Sequence, residues 1–177
     1  LATHSLPEEG VVVLLDIGAV TSSLIVWGNQ DMFFTRDLPV GIHEMVKDIS
    51  VRKSLDYLAA QTELISSGVE AFKKPDEVQG AIAITDRSAL ENFVEDVRRT
   101  LRFYAKSSNQ SHFTGIYLSG GGSSILGLDA LIQERLQMDT VVFNPFSGME
   151  IREDLIEGNP SQYTIASGLA IRGCCES

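Results

Sequence analysis

An unbroken apolar run, Val11-Val12-Val13-Leu14-Leu15, opens the patterned part of the chain and stops at Asp16-Ile17-Gly18. A run this short, closed by a glycine turn, predicts a buried strand over 11–17. Two more strands are predicted at 22–27 and 31–37, with Gly28-Asn29-Gln30-Asp31 as the hairpin signal between them. Three strands joined by tight turns make an antiparallel meander. Residues 1–10 are polar, carry Pro7 and Gly10, and read as a loose lead-in segment.

After Pro39 and Gly41 the apolar spacing changes from two to between three and four. Ile42, Met45, Val46 and Ile49 fall on one helical face, and a second helical stretch is predicted over 53–66. Residues 67–85 mix glycine, lysine and proline with short apolar runs, of which Ala81 to Ile84 predicts a short strand. The segment 41–85 is therefore expected as a small lobe inserted into the main sheet.

The clearest helix is predicted over 86–106. Ser88 and Glu91 have capping-box spacing, and Leu90, Val94, Val97, Leu101 and Tyr104 recur as one apolar stripe. Acids crowd its start and Arg or Lys its end, as the helix dipole favours. A strand at Gly115 to Leu118, a glycine turn, a helix from Ser123 to Gln137 and a strand at Thr140 to Phe143 follow. Asn144-Pro145-Phe146 ends that strand, because proline lacks the ladder donor. The last helix is expected to take Asn159 as cap and Pro160 in its first turn, and to run to Arg172.

Three antiparallel strands followed by two helix-linked parallel ones is a ribonuclease-H-like α/β layout. It implies a five-stranded mixed sheet flanked by helices, the half-unit of the actin and Hsp70 superfamily. The core would be 11–40 and 86–177, with 41–85 inserted.

Composition narrows the classes. A chain of 177 residues, 44% of them hydrophobic, is long enough for one domain with a real core. Its mean hydropathy of +0.06 argues against disorder, and its apolar runs are strand length, too short to span a bilayer. The reading is a soluble chain. Twenty-four acids against 14 basic residues give a net charge of −10, which argues against nucleic acid as the main partner. Arg98, Arg99 and Arg102 cluster, but late in a predicted helix, where cations complement the dipole; a functional basic patch is the competing reading. Cys174 and Cys175 are adjacent, cannot staple distant segments, and are too few for structural zinc. They fit a reducing compartment. The chain opens on Leu1 rather than Met, as a processed product or a piece of a longer chain would.

Two loops carry the candidate chemistry. The first, Asp16-Ile17-Gly18-Ala19-Val20-Thr21-Ser22-Ser23, joins two strands. Glycine at its apex lets main-chain N–H groups approach phosphate oxygens without a Cβ clash, and Thr21 and Ser22 add hydroxyls. Asp16, at a strand end, is placed to hold hydrated Mg²⁺, an ion that keeps most of its waters. The second, Leu118-Ser119-Gly120-Gly121-Gly122-Ser123-Ser124-Ile125, turns from strand to helix. Its glycines leave a flat surface for adenine or ribose, with a helix N-terminus behind. It is neither a Walker A loop, since no Gly-Lys-Ser/Thr follows, nor a Rossmann fingerprint. Taken singly, each loop also fits a plain turn, the second with Ser123 or Ser124 as a helix cap.

Together, in this order, they are similar to the phosphate-2 and adenosine motifs of actin-like ATPases. The segments DIGAVTSSL (16–24), FFTRDLPVG (33–41), RTLRFY (99–104), IYLSGGGSSILGLDALIQERL (116–136), VVFNPF (141–146) and YTIASGLAIR (163–172) resemble landmarks of the type IV pilus assembly PilM family. The resemblance covers nearly the whole chain. The pairing of Asn144-Pro145-Phe146 with the closing helix leans towards PilM over its relative FtsA.

The resemblance implies ATP and Mg²⁺ bound through Asp16, Gly18, Ala19, Thr21, Ser22, Gly120, Gly121, Gly122 and Ser123, with Asp16 towards the metal. It implies a scaffold at the cytoplasmic face of the inner membrane, partnered by a PilN-like membrane protein and other pilus platform components. The match is to the second actin-like domain only. The N-terminal lobe, with its phosphate-1 hairpin, has no counterpart here, so the chain is expected to be a fragment or a naturally split half. The stretch Val51 to Leu58 fits the family's base-contacting helix poorly, so no base contacts are carried over from it. His4, His43 and His112 fall on a tail, a helix and a loop, and none is read as a catalytic base; any ATPase activity would be slow. Two alternatives stay open: the C-terminal lobe of an actin-fold small-molecule kinase, and a nucleotide-free scaffold of type II secretion.

Overall fold

The computed structural model describes residues 10–28, 33–73, 87–108, 112–150 and 156–175. Strand β1 (Val11–Ile17) pairs antiparallel with β2 (Ser22–Trp27), and β2 pairs antiparallel with β3 (Phe33–Leu38). Helices α1 (Ile42–Lys53) and α2 (Tyr57–Ser67) follow, then α3 (Ala89–Ser108). Strand β4 (Phe113–Ser119), helix α4 (Leu128–Leu136), strand β5 (Thr140–Val142) and helix α5 (Thr164–Cys175) complete the order. β4 lies parallel to β1, and β5 parallel to β4, so the sheet runs β3-β2-β1-β4-β5. This is the five-stranded mixed sheet with flanking helices that the element order implies.

Alternation along the strands sends one set of side chains into the core. Val13, Leu15 and Ile17 of β1, Leu24 and Val26 of β2, Leu38 of β3 and Ile116 and Leu118 of β4 are buried together. Met45, Val46 and Ile49 of α1, Phe93, Val97 and Leu101 of α3, and Leu128 and Ile132 of α4 join the same cluster. Ala60, Leu64 and Ala71 belong to it as well, so the described part of 41–85 packs into the core of the sheet. Residues 74–86, including the strand expected at Ala81 to Ile84, lie outside the described residues, as does most of the β2–β3 turn.

The capping box at the start of α3 is present. Ser88 N donates to Glu91 Oε2 at 2.9 Å, and Glu91 N donates to Ser88 Oγ at 3.1 Å, which satisfies two otherwise orphaned N–H groups. The arginines of α3 behave differently from the dipole reading. Arg98 pairs with Glu95 at 3.0 Å, and Arg99 lies 3.6 Å from Glu95 and 3.7 Å from Asp96, while the basic residue of the last turn is Lys106. Local acid–base spacing, not the helix end, holds Arg98 and Arg99.

The helix expected from Ser123 starts later. Residues Gly121–Ser124 form a single 3-10 turn, and α4 begins at Leu128 behind Gly127, whose φ of +78° suits glycine. Ser123 and Ser124 do not cap α4. Their hydroxyls donate back to the carbonyls of Gly120 and Gly121, at 2.8 and 2.7 Å, and so tighten the turn. The predicted cap at the other end holds: Asn159 Oδ1 accepts from Ser161 N at 3.0 Å, Pro160 opens a 3-10 turn, and α5 continues from it.

Candidate functional site

Asp16 and Ser119 are register partners at the carboxyl ends of the parallel strands β1 and β4, so the loops that follow leave the sheet side by side. Ser119 Oγ donates to Asp16 Oδ1 at 2.8 Å. The first loop folds back at once, with Gly18 N donating to Thr21 O at 3.1 Å. The second lies directly against it. Gly120 has φ +78°, and a Cβ there would stand 2.6 Å from Ile17 O and 2.8 Å from Asp16 Oδ1; a Cβ on Gly122 would overlap Cγ2 of the buried Ile17. Glycine is required at both positions because Gly120 lies against the main chain of the first bend and Gly122 against the buried Ile17 side chain.

Gly121 differs from its neighbours. A Cβ there would meet only Ile42 Cδ1, at 3.8 Å, so the surface above this residue is open. That is the free face a flat ring or a sugar needs.

A third segment closes the arrangement. Ile42 N and His43 N, at the start of α1, donate to Gly18 O and Ala19 O at 3.1 and 2.8 Å. Gly41 sits so close that a Cβ would lie 2.7 Å from Gly18 O and from the carbonyl carbons of Ala19 and Val20. The sequence reading did not include Gly41, Ile42 or His43 in the site. The visible signal was Pro39-Val40-Gly41 between a strand and an amphipathic run.

The predicted hydroxyls divide. Thr21 and Ala19 are exposed, and the Thr21 hydroxyl has no partner among the described residues. Ser22 is fully buried and donates to Val40 O at 2.7 Å, which ties the hairpin to the start of α1. Ser123 is buried too. It donates to Gly120 O and shares a short hydrogen bond with Ser161 Oγ, while Gly120 N donates to Ser161 O at 3.1 Å. In this arrangement Ser22 and Ser123 hold the bends in shape. Ser161 and Asn159, which brace the second bend from 36 to 41 residues away, were not predicted.

The donor set fits a nucleotide with hydrated magnesium. Asp16 is half-buried, and with Oδ1 accepting from Ser119, its Oδ2 has no partner among the described residues. Among the described residues no three His, Cys, Asp or Glu side chains gather to hold an ion. A lone carboxylate suits Mg²⁺, which retains waters, better than an ion needing a full protein cage. His43 Nδ1 lies 2.9 Å from Tyr57 Oη, and His112 is exposed ahead of β4. Among the described residues no helix is long and apolar enough to cross a membrane.

Comparison with known proteins agrees with this geometry. Among solved structures, a PilM-PilN type IV pilus biogenesis complex matches at 26% identity and a TM-score of 0.72, over 93% of this chain and 46% of that one. Ethanolamine utilization protein EutJ from Carboxydothermus hydrogenoformans matches at 17% identity and a TM-score of 0.58, over 92% of this chain and 49% of that one. MreB 5 of Spiroplasma citri, bound to AMPPNP, matches at 18% identity and a TM-score of 0.57, over 92% and 52%. The last two show a shared fold. The chain spans about half the length of the structures it matches. The family model described as type IV pilus assembly protein PilM matches residues 2–174. The chain belongs to the type IV pilus assembly protein PilM family.

Proposed function

We infer that this chain is one jaw of an ATP-dependent actin-like scaffold for type IV pilus assembly. The observation that carries the reading is the close contact between the two bends, Gly120 and Gly122 against Asp16 and Ile17. The first bend would meet phosphates through the N–H group of Ala19 and the hydroxyl of Thr21, while Gly18, whose N–H donates to Thr21 O, would keep the bend closed beneath them. Asp16 would hold water on Mg²⁺, and Gly121 would offer its open surface to the ribose or base. Ser22 and Ser123 would act indirectly, by keeping both bends in place.

A companion actin-like lobe would supply the opposite jaw, since the matched PilM chain is about twice as long. A ligand bridging two lobes favours their closed state only through contacts absent from the open one. The cation neutralises phosphate charge when bound; this chain's part is to bind and orient. PilN appears in the complex that this chain resembles, and a PilN-like membrane protein is accordingly proposed as the partner that keeps the scaffold on the cytoplasmic face of the inner membrane.

Titration calorimetry with Mg-ATP tests the reading. The chain alone should bind weakly, having one jaw, and addition of the companion lobe should tighten binding. Gly121→Leu should remove nucleotide binding with the fold intact, because only Ile42 stands near that position. Unchanged affinity in that variant would eliminate the adenosine role, and tight binding by the chain alone would contradict the single-jaw account.

A further inference from the structure

A cleft between α3 and α4 lies apart from the two bends. Its floor is apolar, Val94 and Leu131, and Arg87, Arg98 and Arg135 stand around it. The volume is about 180 Å³, below the roughly 300 Å³ at which small-molecule pockets usually begin, and suited to one or two side chains.

The acids of the cleft are already engaged. Glu91 Oε2 accepts from Ser88 N and Ser88 Oγ in the capping box. Glu95 takes Arg98 at 3.0 Å and Arg99 at 3.6 Å. Arg98 is fixed in turn, because it also donates to the main-chain oxygen of Arg135 at 2.5 Å, in the last turn of α4. Arg87 and Arg135 are exposed, and among the described residues neither has a hydrogen bond or an ion pair for its side chain. Two open guanidiniums therefore flank a third whose position is locked. A chain of net charge −10 repels an acid on average, and the two open guanidiniums make this cleft a place that admits one.

We propose that the α3–α4 cleft docks an acidic segment of a partner protein. A Glu or Asp carboxylate enters between Arg87 and Arg135 beside Arg98, where planar guanidiniums offer paired donors. The apolar residue next to it on the partner lies over Val94 and Leu131. The apolar floor suits a peptide rather than a polyphosphate, which has no apolar group to lay over Val94 and Leu131. This contact is independent of the nucleotide reading.

The test is nuclear magnetic resonance of the ¹⁵N-labelled chain, read at the arginine Nε–H signals. Acetyl-Leu-Glu-Leu-Glu-Leu-amide is the probe, with its Gln counterpart and inorganic phosphate as the other arms. The Glu peptide should move the signals of Arg87, Arg98 and Arg135, with millimolar affinity because exposed ion pairs are individually weak. The double variant Arg87→Gln/Arg135→Gln should lose about five-fold in affinity, whereas Arg102→Gln/Lys106→Gln, an equal change of net charge on α3 outside the cleft, should lose none. Equal losses in the two double variants would reduce the effect to bulk charge and overturn the site. So would the same shifts with the Gln peptide, or phosphate binding as tightly as the Glu peptide. Both altered arginines are exposed, so an unchanged circular-dichroism melt separates lost docking from lost folding.

Discussion

Helix α3 is studded with charge from Glu91 to Lys106 and yet buries Leu90, Phe93, Val94, Val97, Leu101 and Tyr104. Helix α5, TIASGLAIRGCC, has Arg172 as its one charged residue and leaves Ile165 63% and Leu169 66% exposed. A Cβ placed on Gly168 would have no neighbour within 4 Å. The contrast separates hydrophobicity from burial. In α3 the apolar side chains are gathered on one stripe that matches the underside of the sheet, so composition matters less than phase. In α5 the apolar and small residues face outward, and the described residues hold no surface that covers them. If the companion lobe proposed above exists, α5 is the element of this chain best suited to meet it.

Emptying the α3 interface should have the largest effect. Phe93 is fully buried, and Phe93→Ala should lower stability by about 3–5 kcal/mol in a denaturant melt. A loss near that of an exposed site would mean that α3 does not anchor the core. Next comes the contact between bends. Gly122→Ala presses a methyl on Ile17, which is fully buried, and should cost about 1–3 kcal/mol, while the open Gly121 tolerates the same change. Ser88→Ala, which removes half of the capping box, should cost about 1 kcal/mol. Leu169→Ser should alter the stability of the chain by less than about 0.5 kcal/mol and yet weaken association with the companion lobe in a pull-down of the two purified pieces. A large destabilisation of the chain alone would show that α5 has a partner within it.

The smallest effect concerns the link between α1 and α2. Lys53 Nζ donates to Glu63 Oε1 at 2.6 Å, and this hydrogen bond, with a further one from Ser67, holds the Glu63 carboxyl below its ordinary value. A depressed carboxyl contributes stability above its unfolded value and loses it as pH falls through the folded one. Lys53→Met should therefore lower stability slightly at neutral pH, by little because the pair is solvent-accessible. The difference from the unsubstituted chain should close as pH falls through the Glu63 titration, which flattens the acid limb.

What the sequence disclosed was local. The ends of β1 and β2 fall where the apolar runs and turns predict, and the Ser88–Glu91 spacing marks a capping box whose partners are three residues apart. The glycine turn was visible as well, but not its continuation. Ser123 and Ser124 look like helix caps, and only the 3-10 geometry shows that they bond backwards, leaving Leu126 and Gly127 to re-aim the chain before α4. The braces of the site were illegible for a related reason. Gly41 against Ala19, and Ser161 against Gly120, are pairings across 22 and 41 residues in which each partner is a small residue with no periodic signal. The arginines of α3 misled in the opposite way, since their nearest acids, one turn back, decide their geometry before any helix end can.

The seat formed by Gly18, Gly41 and Gly120 is made almost wholly of peptide groups supplied by three remote stretches of chain. Peptide groups are common to every residue, so drift in the surrounding side chains leaves such a seat intact provided a few positions stay small. A lineage built on it can change most of its letters and keep its shape, and the 26% identity to the PilM of the solved complex, at a TM-score of 0.72, has that character.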